Sequence, residues 1–265
     1  MKSSLLLTAA GLVLVLLQGC ATGPNANPAD PLEPFNRVMF NFNDGVDRAV
    51  LKPVATAYRT VTPSPVRTGV TNFFGNISDV WSLVNNVLQL KPKESVETLM
   101  RVSMNTWLGL GGLIDIASEM RLEKHKEDFG QTLGYWGVKT GPYVVLPLLG
   151  PSTVRDSVGS LVDSYGDLVT QIDKTSVRNS LVILRVVDKR ARFLNAGDVL
   201  EDAALDKYTF TRDIYLQRRS SLVGVEPPAR EERYDLPEVT PGAPAEPPAP
   251  PQSEPSPVPP AAPAN

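Results

Sequence analysis

Hydrophobic residues in the middle of the chain recur at steps of three and four positions, which is the spacing of one face of an α-helix. The pattern therefore predicts a succession of helices. We find no long segment in which hydrophobic and polar residues alternate, as they would along a half-buried strand. The predicted fold class is all-α. The series are Val66, Val70, Phe73, Phe74, Ile77, Val80, Trp81, Val84, Val87 and Leu88; Val96, Leu99, Met100 and Val102; Val177, Leu181, Leu184, Val187, Ala191 and Leu194; and Leu200, Ala204, Tyr208, Thr211 and Tyr215.

Residues that commonly start and stop helices flank these series. Residues 62–65, Thr-Pro-Ser-Pro, offer a hydroxyl cap and a proline for a first turn. Within the helix that follows, Gly75 predicts a break, and Pro92 predicts its end. The cap candidates for the later helices are Asp173 or Ser176, and Asp198 with Glu201, which together resemble a capping box.

Two apolar stretches rich in glycine and proline, residues 107–114 and 141–151, interrupt the helical pattern. Neither is long enough to cross a bilayer as a helix, which takes about 20 residues. One interpretation is a tight turn in a protein core, where glycine permits close packing. The other is non-helical backbone near hydrocarbon depth, packed in protein or lining a cavity. Both stretches occur in a chain that also carries a membrane-anchor signal, and this favours membrane or lipid contact.

The N-terminus has the pattern of a lipoprotein export signal. Lys2 precedes an apolar run, and Leu-Gln-Gly-Cys at residues 17–20 resembles a bacterial lipobox. We therefore expect residues 1–19 to be a signal peptide, Cys20 to be the lipid-attachment site, and residues 20–29 to be a tether. Ala21, in place of an aspartate, favours the outer membrane of a Gram-negative bacterium. The alternative is an ordinary secretory signal with an incidental cysteine.

Composition excludes several classes of protein. The 265 residues contain 26 Lys+Arg and 29 Asp+Glu, so no basic excess of the kind that binds nucleic acid is present. A single cysteine excludes an intramolecular disulfide and a thiolate metal cluster. Residues 226–265 hold more than half of the 25 prolines, which predicts a disordered Pro/Ala/Glu-rich tail. A cell-wall spacer or a partner-docking peptide is the alternative interpretation of this tail.

Catalytic motifs are missing from the sequence. The single histidine, His125, lies in a charged run and is expected to be a solvated surface residue. There is no Gly-x-Ser-x-Gly motif, and the glycines at 109–112 lack the lysine and hydroxyl residue of a phosphate loop. Asp156, Asp163 and Asp167 are candidate helix caps, and nothing selects a pair of them as acid and base. We predict no catalytic residue, no metal site and no cofactor, although a Ser–Asp hydrolase with unfamiliar spacing stays open.

Several ordered motifs closely resemble the MlaA (VacJ) lipoprotein family. The run Asp30-Pro31-Leu32-Glu33-Pro34-Phe35-Asn36-Arg37 resembles the opening of the family domain. The resemblance extends over about residues 30–225. The matching segments are residues 30–43, 52–55, 58–59, 67–73, 75–76, 105–109, 111–115, 129–134, 137–144, 146–147, 154–156 and 215–218.

This resemblance implies a single ring-shaped helical domain at residues 30–225, lying in the membrane around an amphipathic pore. It also implies an outer-membrane lipoprotein that removes mislocalised phospholipids from the outer leaflet and passes them to a periplasmic lipid carrier. Association with a trimeric porin is a further implication. Such a protein maintains lipid asymmetry and is not an enzyme. The proline-rich tail departs from the better-known members, so the resemblance gives it no role.

A phospholipid path needs apolar walls for the acyl chains and polar groups for the head group, because desolvating a charged head costs several kcal/mol. Alternating aromatic and polar residues after position 35 offer both, although the asparagines could instead face water or cap turns. Arg37 and Arg67 could bind phosphate or pair with acids. Glycines near position 110 would suit a bend beside the pore, giving pliability or close packing. The candidate lipid-path residues are Asn36, Arg37, Phe40, Asn41, Phe42, Asn43, Leu108, Gly109, Gly111, Gly112 and Leu113.

Two other functions remain open at this point. A structural lipoprotein could tether the envelope with the proline-rich tail as its spacer. A phospholipid-degrading enzyme would release lysolipid and fatty acid, whereas a transport protein would hand over intact lipid.

Overall fold

The chain folds as a succession of helices with a short β-hairpin among them. The computed structural model describes residues 30–196 and 205–224. Its helical character confirms the predicted all-α class. The elements in chain order are α1 (Glu33–Val46), a π-helical turn (Asp47–Leu51), α2 (Lys52–Val61), α3 (Ser64–Leu88), α4 (Pro92–Trp107), α5 (Ile116–Glu119), α6 (Phe129–Tyr135), β1 (Tyr143–Leu146), β2 (Gly150–Thr153), α7 (Val154–Gly166), α8 (Thr175–Arg192) and α9 (Lys207–Val223).

Several predictions fall outside the described residues. They are the signal peptide at 1–19, the lipidated Cys20, the tether at 20–29, the capping box at Asp198 and Glu201, and the tail at 226–265.

Helix α3 is longer and more regular than its sequence suggests. Pro63 flanks its first residue without a side-chain cap, and Pro65 lies in the first turn, where its missing N–H is no loss. The predicted break at Gly75 is wrong, because the helix continues through it. A Cβ at this position would lie 3.1 Å from Lys124 Nζ, so the glycine allows a neighbouring segment to approach. The helix ends before Pro92, which instead begins α4.

Side-chain caps occur at other helices than the one predicted. Lys174 flanks the start of α8 without a side-chain hydrogen bond, so neither Asp173 nor Ser176 caps it. Asp128, Thr153 and Asp206 accept backbone N–H bonds at the starts of α6, α7 and α9. These oxygens satisfy donors that a helix leaves unpaired at its first turn.

The stretch at 141–151 forms an antiparallel β-hairpin, which sequence patterning did not predict. Tyr143 pairs with Thr153 and Leu146 with Gly150. The strands have only four residues each, too few for an alternating pattern to stand out. Leu148, at the turn, has a φ of +62°, and Gly150 follows with a φ of +85°. Glycine adopts such left-handed backbone without the steric penalty of a Cβ.

The distribution of polarity is inverted relative to that of a typical water-soluble domain. Among the described residues, buried polar and charged side chains outnumber buried hydrophobic ones, while many large hydrophobic side chains are exposed. In α4, for example, Thr98 and Arg101 are buried and Leu99 and Met100 are exposed. The predicted hydrophobic series of α4 therefore lies mainly on the outer surface, whereas Val187 and Ala191 in α8 and Tyr208 in α9 are buried. None of the described helices is both long enough and apolar enough to cross a membrane.

Candidate functional site

Neutral polar side chains fill the interior between α3, α4 and α6. The Thr132 hydroxyl donates to Asn85 Oδ1 over 2.7 Å and accepts from Gln89 Nε2 over 3.0 Å. Asn86 Nδ2 lies 3.4 Å from Thr98 Oγ1 and 2.9 Å from the carbonyl oxygen of its own helix one turn earlier. These five side chains are buried and hydrogen-bonded to one another or to backbone, and they form a polar core in which Asn86 Oδ1 is left without a hydrogen-bond partner.

A charged network extends this core toward residues 115–124. The buried Arg101 donates through Nη2 to both carboxylate oxygens of Asp115, at 2.9 and 3.0 Å. Lys124 Nζ lies 2.9 Å from Asp79 Oδ2, and Arg101 Nε lies 3.8 Å from the same oxygen. Burial raises the pKa of Asp79, and the attraction of Lys124 opposes that rise. Two cations and two carboxylates thus neutralise one another inside the domain.

A second charged network holds α9 against α6 and α7. Arg219 donates to both oxygens of Asp128, at 2.5 and 2.6 Å, and through Nε to Asp156 over 2.8 Å. The Tyr215 hydroxyl donates to the same Asp156 carboxylate over 2.9 Å. Burial alone would raise the pKa of both acids. The hydrogen bonds and charge of Arg219 outweigh it and lower both pKa values.

Two of the predicted lipid-path asparagines fasten the β-hairpin to α1. The buried Asn36 donates to the Tyr143 carbonyl over 3.1 Å and accepts from the Val145 N–H over 2.8 Å. Asn43 makes the same pair of contacts at the hairpin turn, with the Leu146 carbonyl and the Leu148 N–H, at 2.9 and 2.7 Å. Each side-chain amide thus donates to and accepts from the hairpin backbone, as a residue of a neighbouring strand would. In both cases the side-chain amide is committed to the fold.

The other candidates on α1 point in different directions. Arg37 donates to Glu33 and Asp206, both at 2.8 Å. Of the two roles considered for this arginine, binding phosphate and pairing with acids, the structure shows pairing with acids. Phe40 packs its edge against the buried Tyr208 ring. Asn41 and Phe42 are exposed. The structure therefore does not bring Asn36, Arg37, Phe40, Asn41, Phe42 and Asn43 together along one lining.

The glycine-rich segment after α4 combines close packing with an exposed apolar rim. A Cβ on Gly109 would lie 2.2 Å from the Ile114 carbonyl oxygen, and one on Gly112 would lie 2.6 Å from Asn76 Cβ. Gly111, by contrast, faces open space. Leu108 and Leu113 on either side are 62% and 46% exposed. At Gly109 and Gly112 the structure therefore shows close packing.

Exposed aromatic residues accompany the aliphatic ones on the outer surface. Trp107 is 84% exposed, Tyr165 80% and Trp136 61%, although Trp136 Nε1 donates to a backbone carbonyl. Tryptophan and tyrosine are enriched where proteins meet the interface of a membrane with water, because their rings are apolar and their edges polar. An exposed apolar surface of this extent in a monomer marks contact with lipid or protein.

His125 is better packed than the sequence suggests. Its Nε2 lies 2.5 Å from Glu97 Oε2, and the ring is half-buried, so the expectation of a solvated surface histidine is wrong. Glu123 joins these two to bring three potential metal-ligand atoms within 4.8 Å of one another. Two carboxylates and an imidazole suit a divalent transition metal. In the structure His125 Nε2 contacts Glu97 Oε2 directly.

Sequence reasoning missed the inward polar faces of α3 and α4. A usable signal existed for the first of these, since Asn76, Asp79 and Ser82 recur at the same helical spacing as the hydrophobic series. These polar residues, taken as a series of their own, would have identified the buried face of the helix.

Comparisons with known proteins agree with this architecture. The family model described as MlaA lipoprotein matches residues 28–222. The intermembrane phospholipid transport system lipoprotein MlaA of Escherichia coli K12 is 37% identical over 220 residues, covering 80% of this chain and 86% of the relative. The protein of that name from Haemophilus influenzae Rd is 35% identical over 226 residues, covering 82% and 89%.

A solved structure is similar as well. It comes from work on the structural basis for maintenance of bacterial outer membrane lipid asymmetry, and it superposes with a TM-score of 0.65 at 36% identity. The match covers 73% of this chain and 98% of the solved one. These matches, together with the helical fold and the inverted polarity, confirm the resemblance seen in the sequence motifs: the chain belongs to the MlaA lipoprotein family.

Proposed function

We propose that this protein moves phospholipids between membranes, removing mislocalised lipids from the outer leaflet of the outer membrane and passing them to a periplasmic carrier. Relatives at 35–37% identity are named as lipoproteins of an intermembrane phospholipid transport system, and the structural neighbour concerns outer-membrane lipid asymmetry. The protein would act without a cofactor, with flux following the lipid gradient and the affinity of the carrier. A trimeric porin is the proposed membrane partner.

The inverted polarity of the domain is the observation that carries this proposal. Exposing a leucine- or valine-sized side chain to water forgoes about 1.5–3 kcal/mol of burial. Residues such as Val61, Leu110 and Leu149 are 69–81% exposed. Against hydrocarbon that penalty disappears, since lipid tails are as apolar as the side chains. A lipid environment therefore accounts for an outer surface that water does not favour.

The polar interior supports the second half of the proposal. A phospholipid head group carries charges whose desolvation without hydrogen bonds costs several kcal/mol. Within the domain, Asn76 Oδ1 and Asn86 Oδ1 on α3 and Arg101 Nε on α4 are buried without a hydrogen-bond partner, so acceptors and a donor remain there. An apolar exterior and a polar interior in one domain match the two halves of an amphiphile.

Attachment to the membrane is proposed to depend on Cys20. None of the described helices is long and apolar enough to cross a bilayer. In this proposal acyl chains on the cysteine supply the anchor, together with the apolar surface. Each buried CH₂ of an acyl chain contributes about 0.8 kcal/mol, so two or more chains hold a protein firmly. The outer membrane of a Gram-negative bacterium is the proposed location.

Surface-exposed phospholipid in cells tests this function. A strain lacking the gene should show more phospholipid that externally added phospholipase can cleave, and re-expression should restore the parental level. Unchanged cleavage in a strain whose parent demonstrably makes the protein would contradict the proposal. Deleting residues 226–265 separates transport from tethering, because only a tether that uses the tail as its spacer fails without it.

A further inference from the structure

Three metal-ligating side chains meet between α4 and the segment that follows α5. His125 Nε2 lies 2.5 Å from Glu97 Oε2. One ligand atom each from His125, Glu97 and Glu123 lie within 4.8 Å of one another. Two ligand atoms on one ion are about 3–4 Å apart, because each bond to the ion is about 2.0–2.2 Å long. The three groups are therefore close enough to share an ion after small side-chain movements.

Neighbouring contacts hold the backbone that carries Glu123 and His125. The carbonyl of Leu122 accepts from Arg101 Nη1 over 2.5 Å, so the segment is bonded to α4 just before the first of these two residues. Glu97 lies one turn before Arg101 on the same face of α4, which brings its carboxylate to the same segment. The three ligands thus come from parts of the fold that other interactions already position. Because Glu97 and His125 are 28 positions apart in sequence, no local spacing predicts the site.

The cluster carries an excess of negative charge. Glu97 Oε1 lies 3.8 Å from Nζ of Lys93, whose side chain is 74% exposed, and exposed pairs of this kind contribute little. Within residues 30–196 and 205–224, Glu123 has neither a hydrogen bond nor an ion pair. Two carboxylates held this close repel each other unless a proton or a cation lies between them. A divalent cation would neutralise both.

We propose that Glu97, Glu123 and His125 bind one Zn²⁺ ion, with water completing its coordination. Zinc accepts imidazole nitrogen and carboxylate oxygen as ligands and is usually four-coordinate, so three side chains and one water meet its needs. Mg²⁺ and Ca²⁺ prefer oxygen ligands, so the imidazole discriminates against them. The ion would tie the segment after α5 to α4 and so stabilise the folded domain. It has no part in moving lipid, and this inference does not depend on the proposed function.

Metal titration tests the site in full-length protein that is purified in detergent without a histidine tag and stripped with a chelator. Calorimetry should give one Zn²⁺ per chain, with Mg²⁺ and Ca²⁺ binding far more weakly. Glu97→Gln, Glu123→Gln and His125→Gln should each weaken zinc binding by about tenfold or more, since even residues that only support metal ligands are worth roughly 10–100-fold. Glu119→Gln removes an exposed glutamate outside the cluster and is the charge-matched control. Zinc affinity unchanged in the three ligand variants would overturn the proposal.

Thermal unfolding separates metal binding from the packing around it. Zinc should raise the Tm of the wild type, because a ligand that binds only the folded state stabilises that state. Glu123→Gln should leave the Tm without zinc unchanged, since this exposed side chain has no partner in the described part of the chain. The same variant should lose most of the zinc-dependent rise. A rise that survives in Glu123→Gln would refute the assignment.

The single histidine of the chain allows a direct check of the nitrogen ligand. Cu²⁺ also binds imidazole, and it serves as a paramagnetic probe of the same site. At one equivalent of Cu²⁺, pulsed electron paramagnetic resonance should show coupling to one imidazole, which can only be that of His125. His125→Gln should abolish this coupling. A wild-type spectrum without imidazole coupling would contradict the proposed site.

Discussion

Gly112 and Gly111 provide a matched pair that tests why the segment after α4 is rich in glycine. Both have a left-handed backbone, with φ values of +93° and +71°. They differ in their surroundings, because a Cβ on Gly112 would lie 2.6–2.9 Å from three atoms of Asn76, whereas a Cβ on Gly111 would meet nothing within 4 Å. Alanine at the two positions therefore separates backbone strain from collision.

The expected magnitudes follow from this geometry. Gly111→Ala should lower the free energy of unfolding by about 1 kcal/mol, the penalty for a left-handed non-glycine residue. Gly112→Ala carries a similar penalty and must also displace the buried Asn76, whose amide bonds Thr106 over 3.0 Å. Overpacking of this kind costs a further ~1–3 kcal/mol. The total for Gly112→Ala is then about 2–4 kcal/mol.

Chemical denaturation of both variants in the same lipid nanodiscs measures the difference, with helical circular dichroism as the signal. Surface phospholipid in cells expressing each variant shows whether the loss of stability reaches function. Equal stability of the two variants would refute the assignment of Gly112 to close packing. A Gly111→Ala protein that is stable but inactive would instead show that this position needs pliability.

Three other features give sharp expectations. Asn36→Ala should lower the free energy of unfolding by about 2–4 kcal/mol, because two backbone groups of the hairpin lose their partner. Asn41→Ala, on the exposed face, is the control and should change the free energy of unfolding by under about 0.5 kcal/mol. Equal losses for the two variants in denaturant titrations would be inconsistent with the hairpin contact. Arg219→Gln should lower the free energy of unfolding by about 3–5 kcal/mol at neutral pH, because it leaves buried carboxylates without their cation. The two aspartates that Arg219 bonds have pKa values lowered below the ordinary 3.8. Their contribution to the free energy of unfolding is therefore present above that pH and is lost as the pH falls below it. The difference in stability between the variant and the wild type should narrow at those low pH values. Cys20→Ala should leave the protein out of the outer-membrane fraction and reproduce the loss of the gene; normal retention would remove the lipid-anchor argument.

Helical periodicity predicted α3, α4, α8 and α9, because it depends only on local spacing, whereas α1, α2 and α7 were not predicted from it. The same periodicity does not say which face of a helix points inward, since that depends on the solvent around the protein. In α3 and α4 the hydrophobic stripe faces outward and residues such as Asp79 and Arg101 face inward. Whether a hydrophobic stripe faces inward or outward can be decided only from the residues on the opposite face of the helix, or from knowing that the protein lies in lipid.

Contacts between distant segments explain the rest of the misses. Asn36 reaches the backbone of β1 across more than 100 positions of sequence, and no local pattern encodes that meeting. The ion pairs of Arg219 with Asp128 and Asp156 likewise depend on how α9 packs. For the glycines near position 110 the sequence left pliability and close packing both open, and the structure shows close packing at Gly109 and Gly112.

Transfer of intact phospholipid by the purified protein is the most direct test of the account. Lipidated full-length protein in vesicles that carry isotopically labelled phospholipid is mixed with the periplasmic carrier, and the carrier is then re-isolated and its lipid analysed. The account predicts intact labelled phospholipid on the carrier, in an amount that depends on the protein and requires no cofactor. Lysolipid and free fatty acid in place of intact lipid, or transfer no faster than from protein-free vesicles, would contradict it.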